Sequence, residues 1–151
     1  MHRAISWVIL GATMLCMPAH GTDVKNALNG QEIKQLVSGN TVEGHFVKPR
    51  EDKEFLTTSV RFRAYFSPGG DVIEKSSAPA AGSGAGHVAA HGAWSVTKGK
   101  LCVQFRDAKD NRKKCRKIVP TDAGKHELYT GKGKLYRTWD RIVPGNVHEL
   151  D

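Results

Sequence analysis

The chain has 151 residues, with 23 lysine or arginine against 15 aspartate or glutamate, and a formal net charge of +8 at neutral pH. This length suits one domain with one hydrophobic core, and the absence of any shift in composition argues against a second domain. No catalytic signature stands out in the chain, so we expect a protein that is not an enzyme.

The N-terminal segment has the organisation of a secretory signal. Met1–Arg3 is positively charged, Ala4–Met17 is an uncharged and mostly apolar run, and Pro18–Gly21 ends in small residues. The apolar run has 14 residues, whereas a membrane-spanning helix needs roughly 20. We therefore predict a signal peptide over 1–21, a single β-rich domain over 22–151, a periplasmic or secreted location and no transmembrane anchor after processing.

A short helix is predicted next. Asn29–Glu32 can form its N-terminal cap, Ile33, Leu36 and Val37 lie on one face, and the following Gly39 ends it. A helix of about two turns is marginal alone, so its apolar stripe must pack on the sheet or across an open end of it.

The first strands follow the helix. Thr41–Val47 is predicted to be a strand, and Val60–Phe66 alternates apolar residues with arginine and tyrosine. Ser67–Asp71 contains the Pro-Gly-Gly of a tight turn, and Val72 begins the returning strand. These segments predict an antiparallel hairpin with one apolar face.

The segment after this hairpin is rich in alanine, glycine and serine. Its side chains have little bulk with which to pack, so we predict a flexible loop over 76–91. His87 and His91 lie four residues apart, which on a helix would allow both to bind one metal ion. The surrounding glycines argue against a helix, and no cysteine or acidic ligand lies nearby in sequence, so whether these histidines bind a metal stays open.

The stretch from Gly92 to Val119 alternates apolar residues with a period of two and is predicted to form strands. Removal of the signal also removes Cys16, which leaves two cysteines in an oxidising compartment. A turn at Asp110-Asn111 brings Cys102 towards Cys115, so we predict a disulfide between them. A zinc pair needs further ligands, and a redox pair is usually spaced Cys-x-x-Cys.

The C-terminal part is predicted to contain one more hairpin. Glu127–Thr130 and Leu135–Trp139 flank a glycine- and lysine-rich turn, and Pro144-Gly145 ends the regular structure. Residues 146–151 are predicted to be a frayed tail. Seven or eight short strands after one helix predict a mainly β fold, a small antiparallel barrel or strongly curved sheet, with a two-sheet sandwich as the alternative.

Several short motifs resemble a family of small exported proteobacterial proteins of unknown function. They are Leu36–Gly44, Tyr65–Asp71, Gly92–Val96, and Leu101-Cys102 followed by Cys115. The likeness runs from about residue 28 to residue 139. It implies a helix followed by a small calycin-like or lipocalin-like β domain, and it implies no catalytic residue.

Two groups of residues are candidate binding sites. Five aromatic residues are expected either to fill the core or to line an apolar ligand pocket: Phe62, Phe66, Trp94, Tyr136 and Trp139. A basic run carries seven cations and two acids in twelve positions, and its cations are Arg106, Lys109, Arg112, Lys113, Lys114, Arg116 and Lys117.

Two functions follow from these groups. The basic hairpin predicts a non-enzymatic binding or accessory protein that acts on an acidic protein or an anionic membrane surface. The alternative function is a carrier that holds a small apolar ligand inside the barrel. Export makes nucleic acid an unexpected partner, no cofactor is implied, and a charged, soluble turn without a partner explains the basic run equally well.

Overall fold

The computed structural model describes residues 24–47, 60–77, 88–106, 111–147 and 150. These residues form one helix and eight strands. The elements are α1 (Gly30–Val37), β1 (Asn40–Phe46), β2 (Arg61–Phe66), β3 (Asp71–Ser76), β4 (Val88–Thr97), β5 (Lys100–Phe105), β6 (Lys114–Pro120), β7 (His126–Tyr129) and β8 (Leu135–Pro144).

The eight strands form a closed antiparallel barrel. Each strand pairs with the next one along the chain, and β1 also pairs with β8, which completes the ring. The prediction of a mainly β fold with a barrel after one short helix is confirmed, and the alternative of a two-sheet sandwich is wrong. Closure leaves no strand edge of the ring unpaired.

The alternation seen in the sequence sets the two faces of the barrel wall. In β2, Phe62, Ala64 and Phe66 are buried, whereas Arg61 and Arg63 between them are exposed. Because successive side chains of a strand point to opposite faces, the apolar residues fill the interior and the arginines lie outside.

Helix α1 closes one end of the barrel. Asn29 caps it, because its side chain accepts hydrogen bonds from the backbone of Glu32 while the Glu32 carboxylate accepts one from the Asn29 amide. Ile33 and Val37 are completely buried and belong to the same core cluster as residues from the barrel strands. The predicted cap and apolar stripe of this helix are confirmed.

The two ends of the barrel differ in their connections. At the helix end, short turns join the strands, such as Ser67–Gly70 and the two-residue turn Lys98-Gly99. At the opposite end, here called the loop end, the connections over 47–60, 77–87 and 106–113 are longer. The interior is therefore covered by a helix at one end, and the loop end is the side on which access must be sought.

The disulfide lies in the barrel wall, between β5 and β6. Cys102 in β5 and Cys115 in β6 are directly opposite each other in the register, and their sulfur atoms are bonded. The structure thus contains the predicted disulfide. It joins the two strands that flank the basic run, three of whose seven cations, Lys114, Arg116 and Lys117, lie in β6.

Two predicted segments need correction. Ser76 ends β3 and β4 begins at Val88, so the loop predicted over 76–91 is too long at both ends. Backbone pairing with β3 forms the start of β4 and requires no side-chain bulk. The tail is not frayed at Leu150, which is only 2% exposed and whose amide donates to Asn146 Oδ1 at 3.0 Å.

Three predictions concern residues outside the described ranges. They are the signal peptide over 1–21, the possible metal ligand His87, and the partner-binding residue Lys109 of the basic run.

Candidate functional site: the interior cavity

The barrel interior is not completely filled and contains a cavity of about 310 Å³. Most of the side chains around this interior cavity are apolar. They are Phe46, Phe66, Val72, Ala89, Ala90, Leu101, Val103, Phe105, Leu128, Tyr136 and Trp139.

The cavity extends from Phe66, Val72 and Leu101, which lie near the helix end, to the loop end. Its lining includes Phe46 at the end of β1, Phe105 at the end of β5 and Tyr136 at the start of β8, all of which lie at that end. Ala89 and Ala90 are at the start of β4, where their small side chains leave space. At the helix end itself, the core residues of α1 fill the interior.

Five charged side chains also line the cavity: Glu74, Arg112, Lys114, Arg116 and Arg137. An apolar cavity with a few polar groups is the usual composition of a small-molecule site. The described residues thus combine apolar walls with an excess of positive charge.

Glu74 and Arg137 form an ion pair across the interior. Their two nitrogen–oxygen distances are 2.5 and 3.2 Å, and the side chains are only 9% and 12% exposed. Arg137 also donates to the Tyr136 hydroxyl at 3.2 Å and lies over the ring of Phe46. Burial disfavours the charged form of Arg137, but the charge attraction and hydrogen bonds of Glu74 and Tyr136 together outweigh burial and raise the pKa of Arg137.

A local irregularity brings two consecutive residues of β8 to the cavity. Leu128 of β7 pairs with Arg137, but the next residue, Tyr129, pairs with Leu135, so Tyr136 is an extra residue in β8. Successive residues of a regular strand point to opposite faces of the sheet, but a bulge of this kind can turn two successive side chains towards the same face. Tyr136 and Arg137 therefore both line the cavity.

Arg116 differs from Arg137 because no carboxylate pairs with it among the described residues. Its guanidinium lies 4.7 Å from the centre of the Tyr136 ring, and Nη1 donates to the Cys115 carbonyl at 3.0 Å. Its Nε is buried and has no hydrogen-bond partner within the described part of the chain. Burial lowers the pKa of Arg116, and the positive charge of Arg137 acts in the same direction.

The basic run predicted from sequence divides into two groups. Arg112, Lys114 and Arg116 line the cavity, although Arg112 and Lys114 are also exposed to solvent. Arg106 and Lys113, which are exposed, and Lys117, which is half-buried, are not among the lining residues. The described part of the run is therefore not a single projecting patch. Its role in binding a partner stays a prediction.

The five predicted aromatic residues also divide. Phe66, Tyr136 and Trp139 line the cavity. Phe62 is 2% exposed in the core, and Trp94 packs on Phe66 and donates from its indole nitrogen to the Ser67 carbonyl at 2.8 Å. A role for any of them in holding a ligand stays a prediction.

The sequence interpretation did not name Glu74 or Arg137, and it assigned Arg112, Lys114 and Arg116 to an exposed hairpin rather than to the cavity. Glu74 lies two residues after the inward-facing Val72, and Arg116 lies two residues before the inward-facing Ile118. The period of two was therefore a signal that both side chains point inwards. Arg137 likewise lies two residues before the buried Trp139.

A second, larger groove of about 760 Å³ involves the outer face of the barrel. Several of its charged groups pair with one another: Asp140 accepts from Lys125 at 3.0 Å and contacts the His45 ring at 2.8 Å, and Glu43 pairs with Arg63. Partial burial acts to raise the pKa of Asp140, but the hydrogen bonds and charge attraction of His45 and Lys125 outweigh burial and hold this pKa below its ordinary value. The groove's polar lining makes it a weaker candidate for a site that holds an apolar ligand.

The described ranges contain no cluster of three or more histidine, cysteine or acidic side chains placed to hold a metal ion. Among the described residues, no helix is long and apolar enough to cross a membrane.

A scan against protein-family models finds no match for the chain, and a search of curated proteins finds no similar sequence.

Proposed function

We propose that the protein is a non-enzymatic binding protein that holds a small, largely apolar molecule in the interior cavity. The observation that carries this proposal is the unfilled space itself. The cavity is partly open to solvent, so its apolar lining is in contact with water. A small apolar ligand that displaces this water gains the free energy of burying apolar surface.

The size and lining of the cavity support the same function. Small-molecule sites typically measure about 300–1,000 Å³ and are mostly apolar with a few polar groups, and this cavity of 310 Å³ lies at the lower end of that range. The helix closes the other end of the barrel, so a ligand would enter from the loop end.

An apolar fluorescent probe tests the proposal. The neutral dye N-phenyl-1-naphthylamine is expected to bind the protein with a blue-shifted emission, and Ala90→Phe is expected to weaken that binding because a ring at this position occupies the cavity. Ala93→Phe is the matched control, since Ala93 lies on the same strand but is exposed on the outside.

Equal dye binding by both variants and the original protein would contradict the proposal. Native mass spectrometry of the protein purified from its own host is a second measurement. A bound mass that Ala90→Phe removes supports the carrier function, and a uniformly empty protein counts against it.

We also propose, as a second candidate, that the exposed part of the basic run contacts an acidic protein or an anionic membrane surface. The supporting observation is that Arg106 and Lys113 remain exposed; the side chain of Arg106 is 71% exposed although it lies 3.7 Å from Asp71. Such contacts weaken with salt. Binding to anionic vesicles that is equal at low and high salt would remove the physical basis of this candidate.

The proposed location is the periplasm or the outside of the cell. The disulfide supports it, because such bonds form and persist mainly in oxidising compartments. Both candidate functions fit that location, and membership in an exported family stays a prediction. Alkylation of protein taken from cell fractions, with intact mass as the readout, tests where the oxidised form accumulates.

A further inference from the structure

The two arginines of the interior cavity are in different electrostatic situations. Arg137 has a bidentate carboxylate partner in Glu74 and a third contact with the Tyr136 hydroxyl. Arg116 has, among the described residues, one backbone carbonyl as a hydrogen-bond acceptor and one aromatic face. Glu74 therefore compensates the charge of Arg137, although the Nε of Arg137 also has no described partner, whereas no described carboxylate compensates the charge of Arg116.

The unused donors of Arg116 lie on one edge of its guanidinium. Nη1 donates to the Cys115 carbonyl, whereas the buried Nε has no acceptor within the described residues and no described contact engages Nη2. Nε and Nη2 present two parallel N–H groups, a geometry that matches the two oxygens of a carboxylate. Arg116 is half-buried, and an anion that contacts its guanidinium offsets the cost of removing part of that charge from water.

The space beside Arg116 defines the rest of the ligand. The cavity continues from Arg116 to Leu128, Trp139 and Phe66, all of which are buried and apolar. Its volume of 310 Å³ holds roughly ten groups of the size of a water molecule, each about 30 Å³. An unbranched chain of about eight to ten carbons has this size, by the same estimate.

We infer that the interior cavity binds a single-chain carboxylate amphiphile, with the carboxylate on the Nε–Nη2 edge of Arg116 and the alkyl chain against the apolar floor. This inference rests on the proposed function and specifies its ligand class. Lys114 and Arg112, which also line the cavity, add positive potential on the path of an anion that enters from the loop end.

The experiment compares decanoate with 1-decanol by calorimetry, below the concentrations at which either aggregates. The two probes have the same chain and differ in the charged head. The original protein is expected to bind decanoate at least about tenfold more tightly than decanol, because two charge-assisted hydrogen bonds distinguish them.

Arg116→Met is expected to remove this preference and to leave decanol affinity within about twofold. Arg116→Lys keeps the charge but loses the two parallel donors, so it is expected to retain only part of the preference. Lys113→Met is the matched control: it removes the same charge from the same hairpin at an exposed position, and both affinities are expected to stay unchanged.

The possible failures are distinguishable. Binding of neither probe overturns the proposed function together with the inference. Equal binding of decanol and decanoate, or a preference that persists in Arg116→Met, overturns the inference alone. Tighter binding of monodecyl phosphate than of decanoate overturns the assignment to a carboxylate.

Discussion

The ion pair between Glu74 and Arg137 allows a test of how the barrel interior is stabilised. Both side chains are nearly buried, at 9% and 12% exposure, and the contact is bidentate. Removing one partner leaves the other charge in a low-dielectric environment without compensation. For buried pairs this typically costs about 3–5 kcal/mol of folding free energy.

The double variant is expected to lose less folding free energy than either single variant. Glu74→Leu alone leaves the Arg137 guanidinium among aromatic rings, and Arg137→Met alone leaves a buried carboxylate. Glu74→Leu combined with Arg137→Met removes both charges and replaces them by apolar side chains of similar length. Such replacements are often neutral, so we expect the double variant to lose at most about 1–2 kcal/mol and each single variant about 3 kcal/mol or more.

The assay is urea unfolding of the oxidised protein, followed by tryptophan fluorescence and by circular dichroism. The three variants and the original protein complete a double-mutant cycle, from which the interaction energy is calculated. A coupling of several kcal/mol is expected. Additive effects of the two single changes would refute the reasoning, because they would mean that neither charge depends on the other for its stability inside the barrel.

Three further predictions concern the wall of the barrel. Reducing the bond between Cys102 and Cys115 is expected to lower the unfolding free energy by about 3 kcal/mol, and urea midpoints that are the same with and without reductant would contradict this. Burial lowers the pKa of His126, so the folded state favours the neutral ring; its contribution to stability is present above about pH 6.5 and is lost as the pH falls below it. In His126→Gln the melting temperature should therefore fall less on mild acidification than in the original protein. An equal fall in both would show that His126 does not cause the loss of stability. Gly44→Ala places a methyl group about where the Thr138 carbonyl oxygen lies, since an ideal Cβ at Gly44 is 2.0 Å from that atom; it should destabilise the protein by at least about 2 kcal/mol, and a stability equal to that of the original would show that the two strands separate without cost.

The parts of the fold that were predictable follow local rules. The capping box of α1 is written in four consecutive residues, Asn29 to Glu32, and the alternation of Phe62, Ala64 and Phe66 sets the inner face of β2 without reference to other strands. The disulfide followed from the count of cysteines and a single turn. Each of these features depends on residues that are close in sequence.

The polar half of the site depends on residues that are far apart. Glu74 and Arg137 are separated by 63 positions, and only closure of the barrel brings them together. The extra residue Tyr136 in β8 shifts the alternation by one position, which the sequence does not reveal. Arg116 was assigned to the wrong surface for a different reason. Its spacing of two residues from Ile118 indicated an inward position, but the many charged residues around it favoured interpretation as part of a solvated hairpin.

The pairing of β1 with β8 also has a consequence for how the chain acquires its structure. Asn40 at the start of β1 pairs with Pro144 at the end of β8, and the Gly145 amide donates to the Gly39 carbonyl beside them. A ribosome or a translocation channel releases the chain from its N-terminus, so β1 exists long before its second neighbour does. Ring closure must therefore wait until almost the whole chain has emerged, and contacts between such distant segments make folding slow. During that interval one edge of β1 has no strand beside it and can pair with another molecule. The β5–β6 hairpin with its two cysteines needs no distant segment, so we expect oxidation to be possible while the ring is still open.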